Sequence, residues 1–354
     1  MLDRILDATE SLMLIDSPTG NEQQVGDWLE QRLRALAPHE LVRARNSLCV
    51  VPCAPRPGAS TLMLLGHTDT VPKLGENPVR REGDKLHGLG ASDMKAALAV
   101  MLELCAQAKG RAPRHDLVCV FYGGEEGSFD ESEMPAIHEA ARPWFERTTL
   151  AVCMEPTDGQ IQLGCLGTAH AEVTFTGKRA HSARPWQGDN AIHKSAGLLA
   201  RLAARKPIEH EIAGLKFFEV VSATMAEMKG ARNVIPDRFV LNVNYRFAPG
   251  KDEPRVRRDL EELLRGEAEL RLTDYSPAGK VCATNPLLTE LRAAAGNPET
   301  TAKQAWTDVG RLSWMGLDAI NWGPGATAQA HQAGEWVSIA EIEKCWRVLE
   351  AWLL

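Results

Sequence analysis

"LMLLGHTDTVP", Leu62–Pro72, sets an apolar run against a histidine and an aspartate two residues apart and closes on a proline. The run reads as a buried strand. Successive side chains of an extended chain alternate faces, so His67 and Asp69 share one face at the strand's end. An imidazole whose far nitrogen is fixed by a carboxylate is the usual form of a metal-ligating histidine. Taken alone, the stretch reads first as a polar turn after a buried strand, and only further ligands elsewhere overturn that reading.

Working outward, the N-terminal region alternates helical and strand patterns. An amphipathic stretch over Glu22–Leu36 is followed by "LVRARNSLCVVP", "TLMLLGHTD", a helix over Met94–Ala108, "HDLVCVFYGGEEG" and "TLAVCMEP". That order predicts an α/β domain, a mostly parallel sheet with helices on both faces. Near Gly167 the texture changes to strand, helix, strands, helix, strand, from "GTAHAEVTFTGK" through "NAIHKSAGLLARLAARK", "RFVLNVNYRFAPG" and a helix over Glu253–Leu264 to "EAELRLTDYS". This is the pattern of a compact α+β insertion on an antiparallel sheet. The expected organisation is a catalytic domain from residues 1–167 and 281–354, interrupted by a smaller domain over residues 168–280. A last helix is expected after a capping box, Ser338 to Glu341.

Composition excludes several classes. A formal charge of −7 over 354 residues, without a basic run, argues against a nucleic-acid binder. No apolar stretch approaches a membrane span, and "MLDRILDATESLMLIDSPTG" lacks the apolar core and small-residue cleavage site of a secretory leader. The eight cysteines form no CxxC pair, and most lie in apolar stretches, the pattern of buried free thiols in a reducing cytoplasm. Serine-hydrolase, phosphate-loop and dinucleotide motifs are absent from the sequence.

Four apolar strands run into polar, metal-competent residues, and ligands of open α/β sheets bind at the carboxyl ends of strands. "LMLLG" leads to His67 and Asp69, "LVCVFYGG" to Glu125 and Glu126, "LAVCM" to Glu155, and "AINWGPG" through a short loop to His331. "KLHGLGASDMK" places Asp93 after a glycine-rich turn. His67, Asp93, Glu126, Glu155 and His331 form a nitrogen and oxygen donor set that suits zinc, cobalt or manganese and lacks the thiolates of a closed structural site. Five ligands exceed the need of one catalytic zinc and fit two ions about 3.5–4 Å apart with a bridging carboxylate. In the doublet one glutamate binds metal while its neighbour carries protons. Each piece has a plainer reading: an acidic doublet as a solvated surface, His331 as a surface histidine, Asp93 as a helix cap. Their joint occurrence at strand ends favours a metal hydrolase. His39, His115, His138, His193 and His210 have no such context and read as structural or solvent-exposed.

"GHTDTVP", "HGLGASDMK", "GGEEGS", "MEPT" and "GPGATAQAH", in this order and spacing, resemble the dinuclear zinc aminoacylase and carboxypeptidase family. The resemblance implies two zinc ions, with His67, Asp93 and Glu155 on one, and Asp93, Glu126 and His331 on the other. It makes Asp93 the bridge, Glu125 the general base and Asp69 the residue orienting His67. "GKRAHSARPWQGDNAIHK", "RNVIPD", "NYRFAP" and "WTDVGRL" resemble the family's lid and dimerisation domain and its neighbouring substrate contacts. By that resemblance the chain is a homodimer, His181 reaches across it to a developing oxyanion, and Asn233, Arg246 and Thr307 contact substrate. Departures stand at Leu89, Ala96 and Leu166, the last where some members carry a substrate-binding arginine; Arg184, close to His181, offers a positive charge from another direction. The expected activity is removal of the succinyl group from N-succinyl-L,L-diaminopimelate, whose three carboxylates suit Arg184, Arg232 and Arg246. Deacetylation of acetylornithine, acyl-lysine hydrolysis or a related aminoacylase activity, and a catalytically inactive binding protein of the same fold, are the alternatives.

Overall fold

The computed structural model describes residues 1–111 and 113–354. The chain divides into two compact units, residues 1–164, 282–301 and 312–354 in the first and residues 165–281 and 302–311 in the second. Residues 302–311, which the sequence reading assigned to the catalytic domain, belong to the second unit. The reason is long-range contact that no local pattern encodes. Ala302 packs with Leu166, Phe217 and Ala248, and the Trp306 indole donates to Pro277 O at 3.0 Å.

The first unit is built on a sheet in the order Glu40–Ala44, Ser47–Val51, Asp116–Tyr122, Thr61–His67, Thr148–Cys153, Ala319–Asn321, Ile161–Cys165 and Thr300–Lys303. The four central strands run parallel, while antiparallel pairing takes over towards both edges. Every residue of Thr61–His67 and Asp116–Tyr122 is buried, which requires cover on both faces of the sheet. Truncating one of these leucines to alanine is expected to cost about 2–5 kcal/mol. Helices Leu2–Met13, Gln23–Ala35, Ala96–Ala108, Met134–Ala140, Pro286–Ala294 and Ile339–Leu353 belong to this unit.

Two expectations of detail fail here. The helix expected from Met94 begins at Ala96, because Asp93 (φ −123°, ψ 87°) and Met94 (φ −139°, ψ 38°) leave the helical region. Ser338 occupies the N-cap of Ile339–Leu353 without a side-chain capping bond. Burial raises the Glu341 carboxyl above its usual pKa, against the pull of the Gly325 amide.

The second unit pairs Ile208–Ile212, Leu215–Glu227, Arg238–Phe247, Gly167–Thr176 and Glu269–Ser276, in that order, in an antiparallel sheet. Alternating burial along Gly167–Thr176 and Arg238–Phe247 gives the sheet one apolar face. That face packs in one cluster with Leu198 of helix Ala196–Ala204 and with Val256, Leu260 and Leu264 of helix Glu253–Leu264. The latter helix has a complete local code. Asp252 caps it through Arg255 N at 2.9 Å, its buried residues recur every fourth position, and Arg265 in the left-handed region ends it.

Candidate metal centre

Parallel register brings the first unit's chemistry together. Thr61–His67 and Asp116–Tyr122 pair with His67 opposite Tyr122, so Glu125 and Glu126 emerge just past the level of His67. On the other flank Leu65 pairs with Cys153, and two further residues set Glu155 level with His67. The loop after Ala319–Asn321 is stitched to the Glu155 loop by Thr157 Oγ1 to Gly323 O at 3.1 Å and Thr327 Oγ1 to Asp158 Oδ2 at 2.8 Å. Gly323 permits this approach, since a Cβ there would lie 2.2 Å from Met154 O. The loop ends at His331.

His67, Asp93 and Glu155 offer donor atoms within 4.8 Å of one another, as do Asp93, Glu126 and His331, so Asp93 is common to both groups. Its Oδ1 lies 3.1 Å from His67 Nε2 and its Oδ2 3.7 Å from His331 Nε2. His331 Nε2 is also 2.9 Å from Glu126 Oε2. With metal–ligand bonds of about 2.0–2.2 Å, neighbouring tetrahedral ligands stand about 3.4 Å apart, so these spacings are those of ligands around a cation. Glu125 falls in a further group with His67 and Glu126.

The clamp around the site is specific. The His67 Nδ1 faces the main-chain oxygen of Asp69 at 3.0 Å, nearer than the Asp69 carboxylate at 3.6 Å, which leaves Nε2 for a ligand. Asp69 thus holds the imidazole chiefly through its backbone. Its carboxylate, fully buried, is spent on the doublet: Oδ1 accepts from Glu125 N at 3.2 Å, and Oδ2 from Glu126 N at 3.1 Å and Thr19 Oγ1 at 2.9 Å. Burial raises the Asp69 pKa, but His67 and the Glu126 amide outweigh it and hold it below the usual value. Burial lowers the His67 pKa, yet Asp69 and Asp93 carry it well above the ordinary histidine range. His331 is raised by its bond to Glu126 despite partial burial. Five carboxylates, of Asp69, Asp93, Glu125, Glu126 and Glu155, converge here around two imidazoles. Their mutual repulsion is what cations relieve, and the donor set fits two divalent ions.

Sequence reasoning missed Thr19 and Glu335. Glu335, 1 % exposed, accepts three main-chain N–H groups around Asp93, and burial pushes its carboxyl up to about 7 against their pull. Its position four residues after His331 was the one available signal.

The residues expected to contact substrate lie in the second unit in two places. His181, Arg184 and Asn233 are exposed on a small ladder, where Ala180–His181 pairs with Val234–Ile235 and Ser182 N donates to Asn233 O at 3.0 Å. Arg246 is half-buried on Arg238–Phe247, its Nε donating to Asn244 Oδ1 at 3.1 Å. Thr307 is buried, and its carbonyl accepts from the Cys165 thiol.

The fold and the strand-end donor set define a metal hydrolase of the α/β class. The sequence profile of peptidase family M20/M25/M40 matches residues 63–354, and the chain belongs to that family. Succinyl-diaminopimelate desuccinylase of Corynebacterium glutamicum is 36% identical over 352 residues, covering 98% of this chain and 95% of that protein. A Mycobacterium tuberculosis protein provisionally given the same name is 37% identical over 350 residues, covering 98% and 97%. Among solved structures, aminopeptidase PepT of Bacillus cereus superposes with a TM-score of 0.78 at 18% identity, covering 99% of this chain and 98% of the other. A Bacillus subtilis protein described as a dinuclear metal binding peptidase of the M20 family gives 0.74 at 14% identity, covering 99% and 97%. No described helix is long and apolar enough to cross a membrane.

Proposed function

We propose that this protein is a metal-dependent amide hydrolase that removes the succinyl group from N-succinyl-L,L-diaminopimelate. The observation that carries the reading is the Asp93 carboxylate, with one oxygen 3.1 Å from His67 Nε2 and the other 3.7 Å from His331 Nε2. His67, Asp93 and Glu155 would hold one zinc ion and Asp93, Glu126 and His331 the other; cobalt or manganese would be accepted by the same donors. Cations held there would supply polarisation of the scissile carbonyl and acidification of a water. Glu125, whose amide is pinned by Asp69, takes a proton from the attacking water and passes it to the departing amine nitrogen. The C–N bond breaks as the C–O bond to the former water is completed, giving succinate and a free amino group.

The names of the Corynebacterium and Mycobacterium relatives support the substrate. Arg246 and Thr307 are read as substrate contacts: the Thr307 hydroxyl is buried with no hydrogen-bond partner among the described residues. His181, Arg184 and Asn233 are read as contacts supplied by a second copy of the chain. A homodimer is part of this reading, and the eight free cysteines are consistent with a reducing cytoplasm. Steady-state kinetics of the zinc-loaded protein on succinyl-diaminopimelate, acetylornithine and acyl-lysine test the reading. The highest kcat/KM is expected for the first, and preference for either of the others would overturn the substrate assignment.

A further inference from the structure

Resting on the metal reading above, we infer that Glu335 is the positioning residue that sets one of the two metal groups, Asp93–Glu126–His331, and leaves the other largely independent of it. Its carboxylate is bound entirely within the chain. Oε1 accepts from Ser92 N at 2.7 Å and Asp93 N at 2.9 Å, and Oε2 accepts from Gly90 N at 2.7 Å. These donors belong to the turn Ala91–Lys95 and its glycine hinge. Asp93 lies ahead of the regular helix that begins at Ala96, so its N–H has no intrahelical carbonyl to reach. Glu335 takes over that role.

The main chain of Glu335 ties the same turn to the His331 segment. Gly88 N donates to Glu335 O at 3.1 Å, Glu335 N donates to Gln332 O at 3.3 Å, and strand Trp336–Ser338 pairs with Lys85–His87 beside it. One residue therefore joins the segment carrying Asp93 to the segment carrying His331. His331 needs such a tether: its side chain is 53% exposed and its backbone is left-handed, at φ 61°. His67 and Glu155 have other anchors, the ends of two paired central strands. Loss of the Glu335 carboxylate disturbs two of the three donors in the His331 group and one in the His67 group.

Zinc titration of the metal-free protein tests this, read by calorimetry and by metal content after dialysis, with the visible spectrum of the cobalt-loaded protein as an independent report of coordination. The wild-type chain is expected to take two equivalents. Glu335→Ala should weaken one only a few-fold, through the shared Asp93, and bind the other on the order of 10–100-fold more weakly, the usual effect of removing a ligand's supporting partner. Glu335→Gln should fall between them, because its amide oxygen retains Ser92 and Asp93 while its amide nitrogen faces the Gly90 N–H. This variant keeps the side-chain volume and carries the test if the alanine variant does not fold. Two equivalents at unchanged affinity in the variants, or both weakened equally, would overturn the assignment. A wild-type chain that took up no metal would overturn the metal reading first, and Glu335's role with it.

Discussion

His67 and His181 are both singled out by short motifs, yet the chain holds them by opposite means. His67 is 1 % exposed, at the end of a fully buried strand, between Asp69 and Asp93. His181 is exposed on a two-residue strand, its Nδ1 accepting from the nearby Ala183 amide at 3.1 Å. The same contrast separates Asp93 and Glu155 from Arg184 and Asn233, while exposed His331 in the first unit and buried Thr307 in the second run against it. The donors of the first unit are fixed by parallel register and buried carboxylates, so one copy of the chain suffices to assemble them. His181, Arg184 and Asn233 are presented rather than packed, which suits groups that act on something outside their own unit.

The sharpest way to break this comparison is to change one proposed catalytic group on each side, the proton carrier Glu125 and the oxyanion donor His181. Glu125→Gln is expected to lower kcat by on the order of 10²–10⁴ while metal content stays unchanged, as the proposed division of the doublet into proton carrier and metal ligand requires. Loss of metal in this variant, with retention in Glu126→Gln, would mean that the doublet's roles are reversed. His181→Ala is expected to lower kcat by on the order of 10²–10³, again with full metal, as loss of one oxyanion donor does. Mixed with Glu125→Gln chains it should regain activity on subunit exchange, because one site of the heterodimer is then complete. Verified heterodimers without recovery would show that His181 serves its own chain.

Metal affinity sharpens the comparison further. Asp69→Asn keeps one acceptor oxygen and loses part of the clamp on the doublet, so zinc affinity should fall on the order of 10–100-fold. The proton held by metal-free His67, raised well above its ordinary pKa by Asp69 and Asp93 against burial, must leave before Nε2 binds a cation. Affinity therefore rises with pH, and uptake should release protons measurable in buffers of different ionisation enthalpy. A pH-independent titration would argue against His67 as a ligand.

The smallest effect belongs to the second unit, whose own buried charges are structural. Burial would raise the Glu219 carboxyl, but Lys251, the Ala248 amide and the Tyr245 hydroxyl together hold it below its usual value. A lowered folded pKa contributes stability that is complete above the unfolded pKa, near 4.3, and is lost as pH falls through the folded one. Glu219→Gln is expected to cost about 1.5–3 kcal/mol near neutrality and to flatten the loss of stability below about pH 4, as urea denaturation at several pH values would show. Catalytic constants near neutrality should be little changed.

The amino-acid sequence by itself specified what is local. Continuous apolar runs marked the central strands, the change of texture near Gly167 marked the second unit, and the helix expected over Glu253–Leu264 is the one observed. The donors His67, Asp93, Glu126, Glu155 and His331 were legible because each follows a strand or a glycine turn that the pattern had already identified. Their convergence was a further matter, decided by parallel pairing of strands far apart in the chain, such as Ala151 with Ala319. Tertiary structure alone placed residues 302–311 in the second unit, moved the helix start from Met94 to Ala96, and left Ser338 without its capping bond. It also chose Glu335, 242 positions from Asp93, to accept that residue's N–H. A carboxylate's hydrogen-bonding capacity is the same everywhere in a sequence, and only the folded chain determines which amides it meets after both have left water.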